Sequence, residues 1–247
     1  MFPFIDTAPR ATRPFAVLGL IALNTLVFLW MRTLPPRALE AVLWQFALVP
    51  ARYAYPAEAM RVGLDPNNWW PLLTSAFMHG GWLHLITNMW FLWIFGPAME
   101  ARLGRVWFVI MYVGGALAAG LVEIVTHPDS VLPVLGASGA IAAVIAAYAA
   151  TYPRARVITI FLIIIIPLFI PIPALLFALV WFLLQLMQGA AELGSPDMGG
   201  VAWWAHVGGF VFGAAFALAA KAMGVGLQTR TSVYHGPGMR VPNVPLR

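Results

Sequence analysis

Long apolar stretches alternate with short polar segments along the 247-residue chain. A bilayer core takes about 20 apolar residues per helix, so stretches of this length predict helices that span a membrane. Six such spans are expected, at about 15–30, 82–98, 106–125, 138–152, 174–187 and 202–223. The fourth is short for a full crossing, so its N-terminus is expected to lie below the membrane surface.

The segment between the first two spans, about 32–78, is too polar to span the membrane and too apolar for a plain loop. Its stretch ALEAVLWQFALV has the spacing of an amphipathic surface helix. Trp44, Trp69 and Trp70 are of the residue type that is enriched at the lipid interface. We therefore expect this first loop to lie in the outer leaflet.

A further apolar segment, VITIFLIIIIPLFIPIP at 157–173, is interrupted by prolines at 167, 171 and 173. Proline lacks the backbone N–H and clashes with the preceding turn, so this segment cannot form one regular helix. We interpret it as a connector that dips into the membrane, and the sequence leaves open whether it crosses.

The composition excludes an ordinary soluble domain, because 62% of the residues are hydrophobic, only 9% are charged and the mean hydropathy is +0.84. The prediction is an all-α polytopic membrane protein with a six-helix bundle over 15–223, a cytoplasmic segment over 1–14 and a polar cytoplasmic tail over 224–247. The bilayer is its expected surroundings. Basic residues are spread between the apolar runs, so no nucleic-acid partner is expected. The absence of Cys excludes disulfides, a thiol nucleophile and thiolate metal sites.

The distribution of basic residues predicts the orientation. One side of the predicted membrane collects Arg10, Arg13, Arg102, Arg105, Arg154, Arg156, Lys221 and Arg230. By the positive-inside rule that side is cytoplasmic, with both termini, and the plasma membrane is the expected location. The first loop conflicts with this rule, since it carries Arg32, Arg37, Arg52 and Arg61.

Ser138 lies at the head of the fourth span among small residues, Gly136, Ala137, Gly139 and Ala140. These neighbours leave its hydroxyl and the nearby backbone N–H groups open at a helix N-terminus, where the dipole favours negative charge. An attacked carbonyl would place its oxyanion there. Because position 140 is Ala, the G-x-S-x-G elbow of soluble α/β-hydrolases is not matched.

Spans two, four and six run in the same direction, from the outer face inward, and each has polar residues near its start. These residues are His84 and Asn88, Ser138, and His206. His84 and Asn88 are four residues apart and so share one helical face. Ionisable groups inside a membrane are costly and mark function by default, although a single histidine could equally serve packing or ligate a haem. The shared depth predicts that Ser138 meets His206.

Two other features bear on this group. Gly209 and Gly213 form a small-xxx-small stripe that lets the sixth span approach a neighbour closely. His79, just before span two, is a possible accessory residue, although capping or loop anchoring also accounts for it. No metal site is expected.

The motifs TSAFMHGGWLHLITNMWFLWIFG, MEARLG, GASGAI and GGVAWWAHVGGFVFG, between about Trp69 and Gly213, resemble the rhomboid family of intramembrane serine proteases in their order. The resemblance implies a six-helix bundle with a water-filled cavity open to the outside. It implies a catalytic dyad of Ser138 and His206. It also implies an oxyanion site formed by His84, Asn88 and the Ser138 backbone N–H.

The resemblance further predicts an endopeptidase without a cofactor or metal, acting on single-span membrane proteins. Some family members have a tyrosine that stacks on the base four residues after the serine. This chain has Ala142 there, so the group that holds the His206 ring is left open. Three alternatives remain: a rhomboid-like protein that binds transmembrane helices without cutting, a membrane cytochrome with His84 and His206 as axial ligands, and a transporter.

Overall fold

The computed structural model describes residues 2–10, 13–163, 166–193 and 201–225. In chain order its helices are α1 (Phe15–Thr33), α2 (Pro36–Phe46), α3 (Ala51–Ala54), α4 (Pro56–Arg61), α5 (Pro71–Thr74), α6 (Trp82–Leu103), α7 (Arg105–Thr126), α8 (Ser138–Thr151), α9 (Ala174–Leu193) and α10 (Trp203–Ala222). Its strands are β1 (Phe2–Asp6), β2 (Arg156–Ile163) and β3 (Ile166–Pro173). Most of the predicted polar tail lies outside the described residues.

The predicted helical membrane fold is confirmed, and each of the six expected spans corresponds to one long helix. By length and composition, four of the described helices can cross a bilayer: α1, α7, α9 and α10. The polar residues of α6 lower its hydropathy, and α8 has only 14 residues. The first loop contains the amphipathic helix expected from ALEAVLWQFALV, as α2.

Helix α8 forms the centre of the bundle, and its residues 139–149 are all buried. It packs against α6, α7, α9 and α10. The helix consists mainly of alanine with one glycine near its start, so its neighbours approach its backbone closely. In a membrane, such contacts between small residues replace the hydrophobic effect as the source of helix association.

The start of α1 is fixed by Glu100 on α6, although the carboxylate is nearly fully buried. Its Oε1 accepts from the backbone N–H of Ala16 at 3.0 Å, and its Oε2 accepts from Val17 at 2.9 Å. These N–H groups belong to the first turn, where a helix has no acceptor of its own and favours negative charge. Glu100 of the motif MEARLG therefore has a structural role between α1 and α6.

The sequence did not predict a sheet. Residues that were interpreted as a membrane-dipping connector form the antiparallel hairpin β2–β3, and β1 from the N-terminal segment pairs with β2. The β-branched run VITIFLIIII suits strands, where branched side chains pack well. As expected from its prolines, the segment forms no helix. It forms an antiparallel ladder instead.

The three prolines of β3 all lie on its free edge. The Thr7 N–H donates to the Arg156 carbonyl at 3.0 Å, so Arg156 directs its backbone toward β1. Because backbone groups alternate sides along a strand, the odd-numbered residues of β2 face β3. Their partners in the register are the even-numbered residues of β3. Pro167, Pro171 and Pro173 therefore point outward, where their missing N–H costs no ladder bond.

Candidate functional site

Ser138 and His206 lie in direct contact. The Oγ of Ser138, the first residue of α8, is 2.7 Å from Nε2 of His206, in the first turn of α10. The His206 side chain is buried. A serine hydroxyl at this distance from an imidazole nitrogen is placed to pass its proton to the ring.

The contact between α8 and α10 depends on two glycines. A Cβ added at Gly209 would overlap the carbonyl oxygen of Gly139, and one added at Gly213 would overlap that of Ala143. Gly209 follows His206 by three residues and so lies on nearly the same face of α10. Glycine at these two positions allows the helix approach that brings His206 to Ser138.

The second ring nitrogen of His206 is held by Gln185 of α9. The Oε1 atom of Gln185 lies 2.6 Å from His206 Nδ1, and the Nε2 atom of Gln185 donates to the Trp181 carbonyl at 3.4 Å. The second contact turns the amide oxygen toward the ring, so Nδ1 is the protonated nitrogen and Nε2 is the acceptor. Sequence reasoning missed Gln185, although a polar residue within the apolar run FLLQLM is a signal of this kind.

Aromatic rings complete the surroundings of the base. The Trp181 ring lies 5.8 Å from the His206 ring, tilted by 39°, and the Trp203 ring meets it edge-on at 6.0 Å. With Gln185, these rings surround a base for which position 142, an alanine, provides no stacking ring.

A second buried carboxylate fixes the start of α10. The Oε2 atom of Glu123 on α7 accepts from the Ala205 N–H at 3.1 Å, and its Oε1 lies 3.1 Å from Nδ1 of His127. Because Ala205 immediately precedes His206, this contact helps to fix the position of His206. Glu123 was not expected from the sequence.

The proposed oxyanion residues lie beside the dyad. Nδ2 of Asn88 donates to the His84 carbonyl at 2.9 Å, and Asn88 and Ser138 line the same cavity. Gly136 has a φ of +131°, and a Cβ there would lie 2.6 Å from His84 Nε2 and 3.8 Å from Ser138 Oγ. The glycine therefore leaves room for the His84 ring near the serine. The Ser138 N–H, the first of α8, has no acceptor within its own helix.

Ser138 lines a cavity of about 130 Å³ between α6, α8 and α9. Its lining is Thr87, Asn88, Phe91, Ser138, Ile141, Ile145 and Trp181. This space admits a small side chain or a few water molecules. A larger cavity of about 680 Å³ lies among α2, α3, α4 and the α7–α8 connection, away from these residues. Cavity size alone therefore does not identify the candidate site.

His79 is buried with its ring 5.0 Å from that of His84, edge to face. Burial, and to a smaller extent the charge of His84, lowers the pKa of His79 to about 4. The neutral ring of His79 therefore packs against His84 at ordinary pH and does not contact Ser138 directly. Among the described residues, no three His, Cys, Asp or Glu side chains come together as a metal site.

The helical bundle and the contact between Ser138 and His206 in its interior define a class, the polytopic helical membrane proteins. Within this class, the sequence matches one family. The family model for the rhomboid domain matches residues 66–222, well over half of the chain. The chain belongs to the rhomboid family.

Several sequences are similar to this chain. The proposed rhomboid protease YdcA of Bacillus subtilis is 35% identical over 108 residues, which cover 42% of this chain and 54% of YdcA. The mitochondrial presenilin-associated rhomboid-like protein A of Danio rerio is 32% identical over 142 residues, covering 57% and 33%. Its Homo sapiens counterpart is 31% identical over 148 residues, covering 59% and 35%. The chain thus spans about half of YdcA and a third of the mitochondrial relatives.

Proposed function

We propose that the chain is a serine endopeptidase that cleaves peptide bonds in or near the transmembrane segments of membrane proteins. The observation that carries this proposal is the contact between Ser138 Oγ and His206 Nε2 at 2.7 Å. Membership of a family that includes the proposed protease YdcA supports it. Ser138 is the nucleophile and His206 is the general base.

In the first step His206 Nε2 takes the Ser138 proton while Oγ attacks the carbonyl carbon of the scissile bond. The negative charge that develops on the carbonyl oxygen is stabilised by the Ser138 N–H, the Asn88 amide and the His84 ring. Asn88 Nδ2 carries two hydrogens, so it can keep its bond to the His84 carbonyl and donate the second N–H to the oxyanion. The imidazolium then protonates the leaving amine, and the acyl-enzyme forms.

In the second step a water molecule enters the cavity, gives a proton to His206 and attacks the acyl carbon. His206 then passes that proton to Ser138 Oγ as the acyl–oxygen bond breaks, which frees Ser138 and releases the acid product. We place the cavity mouth on the outer side of the plasma membrane and both termini in the cytoplasm, from the distribution of arginines. This orientation gives the site access to water.

The substrate class we propose is single-span membrane proteins. A backbone whose groups are all bonded within a helix cannot present a carbonyl to Ser138, so the substrate must unwind locally at small or helix-breaking residues. The cavity of about 130 Å³ between α6 and α9 would admit only a small side chain at the scissile position.

A cytochrome is disfavoured by the geometry of the histidine. Both ring nitrogens of His206 are hydrogen bonded, Nε2 to Ser138 and Nδ1 to Gln185. An axial haem ligand needs one nitrogen free for iron. The expected spectrum of the purified protein therefore lacks a Soret band.

The test is labelling with a fluorophosphonate, which reacts with an activated serine, followed by peptide mapping. Ser138 should carry the label, and the label should disappear in Ser138→Ala and His206→Ala. Ser130 is an internal control, since its Oγ accepts from the Leu132 N–H and contacts no imidazole among the described residues. Folded wild-type protein without label would instead favour a rhomboid-like protein that binds transmembrane helices without cutting them.

A further inference from the structure

The base of the proposed dyad has an acceptor on its far nitrogen that belongs to an amide, not to a carboxylate. Gln185 is buried, and its Oε1 atom lies 2.6 Å from His206 Nδ1. An amide carries no net charge at any ordinary pH. It can therefore fix the tautomer of the ring without supplying the full negative charge that the aspartate of a serine-protease triad supplies.

We propose that Gln185 is the positioning residue of the dyad, which makes the site a Ser138–His206–Gln185 relay of hydrogen bonds. This inference rests on the proposed function. Gln185 holds the proton on Nδ1 and keeps the lone pair of Nε2 directed at Ser138. When His206 becomes an imidazolium, the same amide oxygen accepts a hydrogen bond from a charged donor, and such bonds are stronger than neutral ones.

The geometry separates this role from ordinary helix packing. A packing glutamine needs only to satisfy its own polar atoms. Here its Nε2 is taken by the Trp181 carbonyl of the same helix at 3.4 Å, so Oε1 is oriented before it meets the ring. Among the described residues, other titratable groups also lie near His206. These are His84 on α6 and Glu123 on α7, whose Oε2 already accepts from the Ala205 N–H.

The experiment compares three variants of the full chain on α9. Gln185→Met keeps the length and volume of the side chain but removes the acceptor. Gln185→Glu keeps the acceptor and adds a charge. Gln188→Met is the matched control, since Gln188 lies on the same helix with its side chain exposed. Cleavage of a single-span substrate and the rate of fluorophosphonate labelling are measured between about pH 5 and pH 9, the range in which histidine titrates.

Gln185→Met should lower kcat by about 10- to 150-fold with little change in KM, because a hydrogen bond to a charged group is lost in the transition state. Gln188→Met should behave as wild type. Gln185→Glu should keep most of the activity and move the acid limb of the kcat/KM profile to higher pH, because the new carboxylate favours the protonated ring. If the side chain at position 185 does not contact the working base, that limb should stay in place.

The inference is overturned if Gln185→Met labels Ser138 within about twofold of the wild-type rate, or if Gln185→Glu keeps the wild-type pH profile. Should Gln185→Met fail to fold, the profile of Gln185→Glu decides alone. These results are distinct from failure of the proposed function, in which wild-type protein itself carries no label on Ser138.

Discussion

The close approach of α8 and α10 makes the activity sensitive to a single methyl group at Gly209. A Cβ at this position would lie 2.8 Å from the carbonyl carbon of Gly139 and closer still to its oxygen. Carbon atoms in contact prefer about 3.5–4.0 Å, so α10 must withdraw by about 1 Å at this point. His206 is one helical turn away on nearly the same face and would move with it.

The displacement determines the expected loss of activity in Gly209→Ala. A withdrawal of that size lengthens the Nε2–Oγ distance from 2.7 Å to about 3.7 Å, which is beyond hydrogen-bond range. A misplacement of about 1 Å between reacting groups costs on the order of 100-fold in rate. The added methyl group also overpacks the contact between the helices, which costs about 1–3 kcal/mol of stability. We expect the bundle to remain folded.

The assay is kcat on a single-span substrate, together with the fluorophosphonate labelling rate at Ser138 and the thermal midpoint in detergent. Gly19→Ala is the matched control, because Gly19 lies within α1 and a Cβ there meets nothing within 4 Å. That variant should be fully active. Wild-type turnover in a folded Gly209→Ala protein would refute the argument that glycine at this position sets the dyad distance.

Three further predictions concern other parts of the site and fold. Asn88→Ala should lower kcat by about 10- to 1000-fold in steady-state assays, as for loss of one oxyanion donor, and an unchanged kcat would leave Asn88 a packing role. Burial holds the pKa of His79 at about 4, below the value of 6.5 for the unfolded chain. The contribution of His79 to stability is therefore complete above about pH 6.5 and is lost as the pH falls toward 4. Thermal melts of His79→Gln should show a smaller loss of stability across this pH range. The chain has no cysteine, so a nitroxide can be attached to one introduced cysteine at a time. A nitroxide on Leu168→Cys in β3 should collide more often with oxygen than with a water-soluble nickel complex. A nitroxide on Val131→Cys, in the α7–α8 connection, should collide more often with the nickel complex.

The helices could be predicted from the sequence because the thickness of a bilayer imposes their length. Each apolar run ends where polar or basic residues begin, and the helices end at nearly the same places. The sheet could not be predicted in this way. The run at 157–173 is almost wholly apolar, so it lacks the alternation of apolar and polar residues by which a strand is usually identified.

Among the site residues, the positions of Ser138, His84, Asn88 and His206 follow from the shared direction of three helices, and this argument works from sequence alone. Gln185 and Glu123 do not follow from it. A polar residue within an apolar helix is expected to have a hydrogen-bond partner, but its position along the helix does not show which other helix provides that partner. The rotation of α9 and α7 about their own axes decides this, and it is set by packing over the whole bundle.

Helix α9 contributes residues both to the cavity beside Ser138 and to the contact with His206. Trp181 lines the cavity beside α6, and Gln185, one helical turn or about 6 Å further along α9, holds the base. Because both side chains belong to one rigid helix, a displacement of α9 that widens the cavity toward α6 also moves the acceptor away from His206 Nδ1. A neutral amide suits this position, since a lengthened bond to His206 would leave no buried carboxylate charge unpaired.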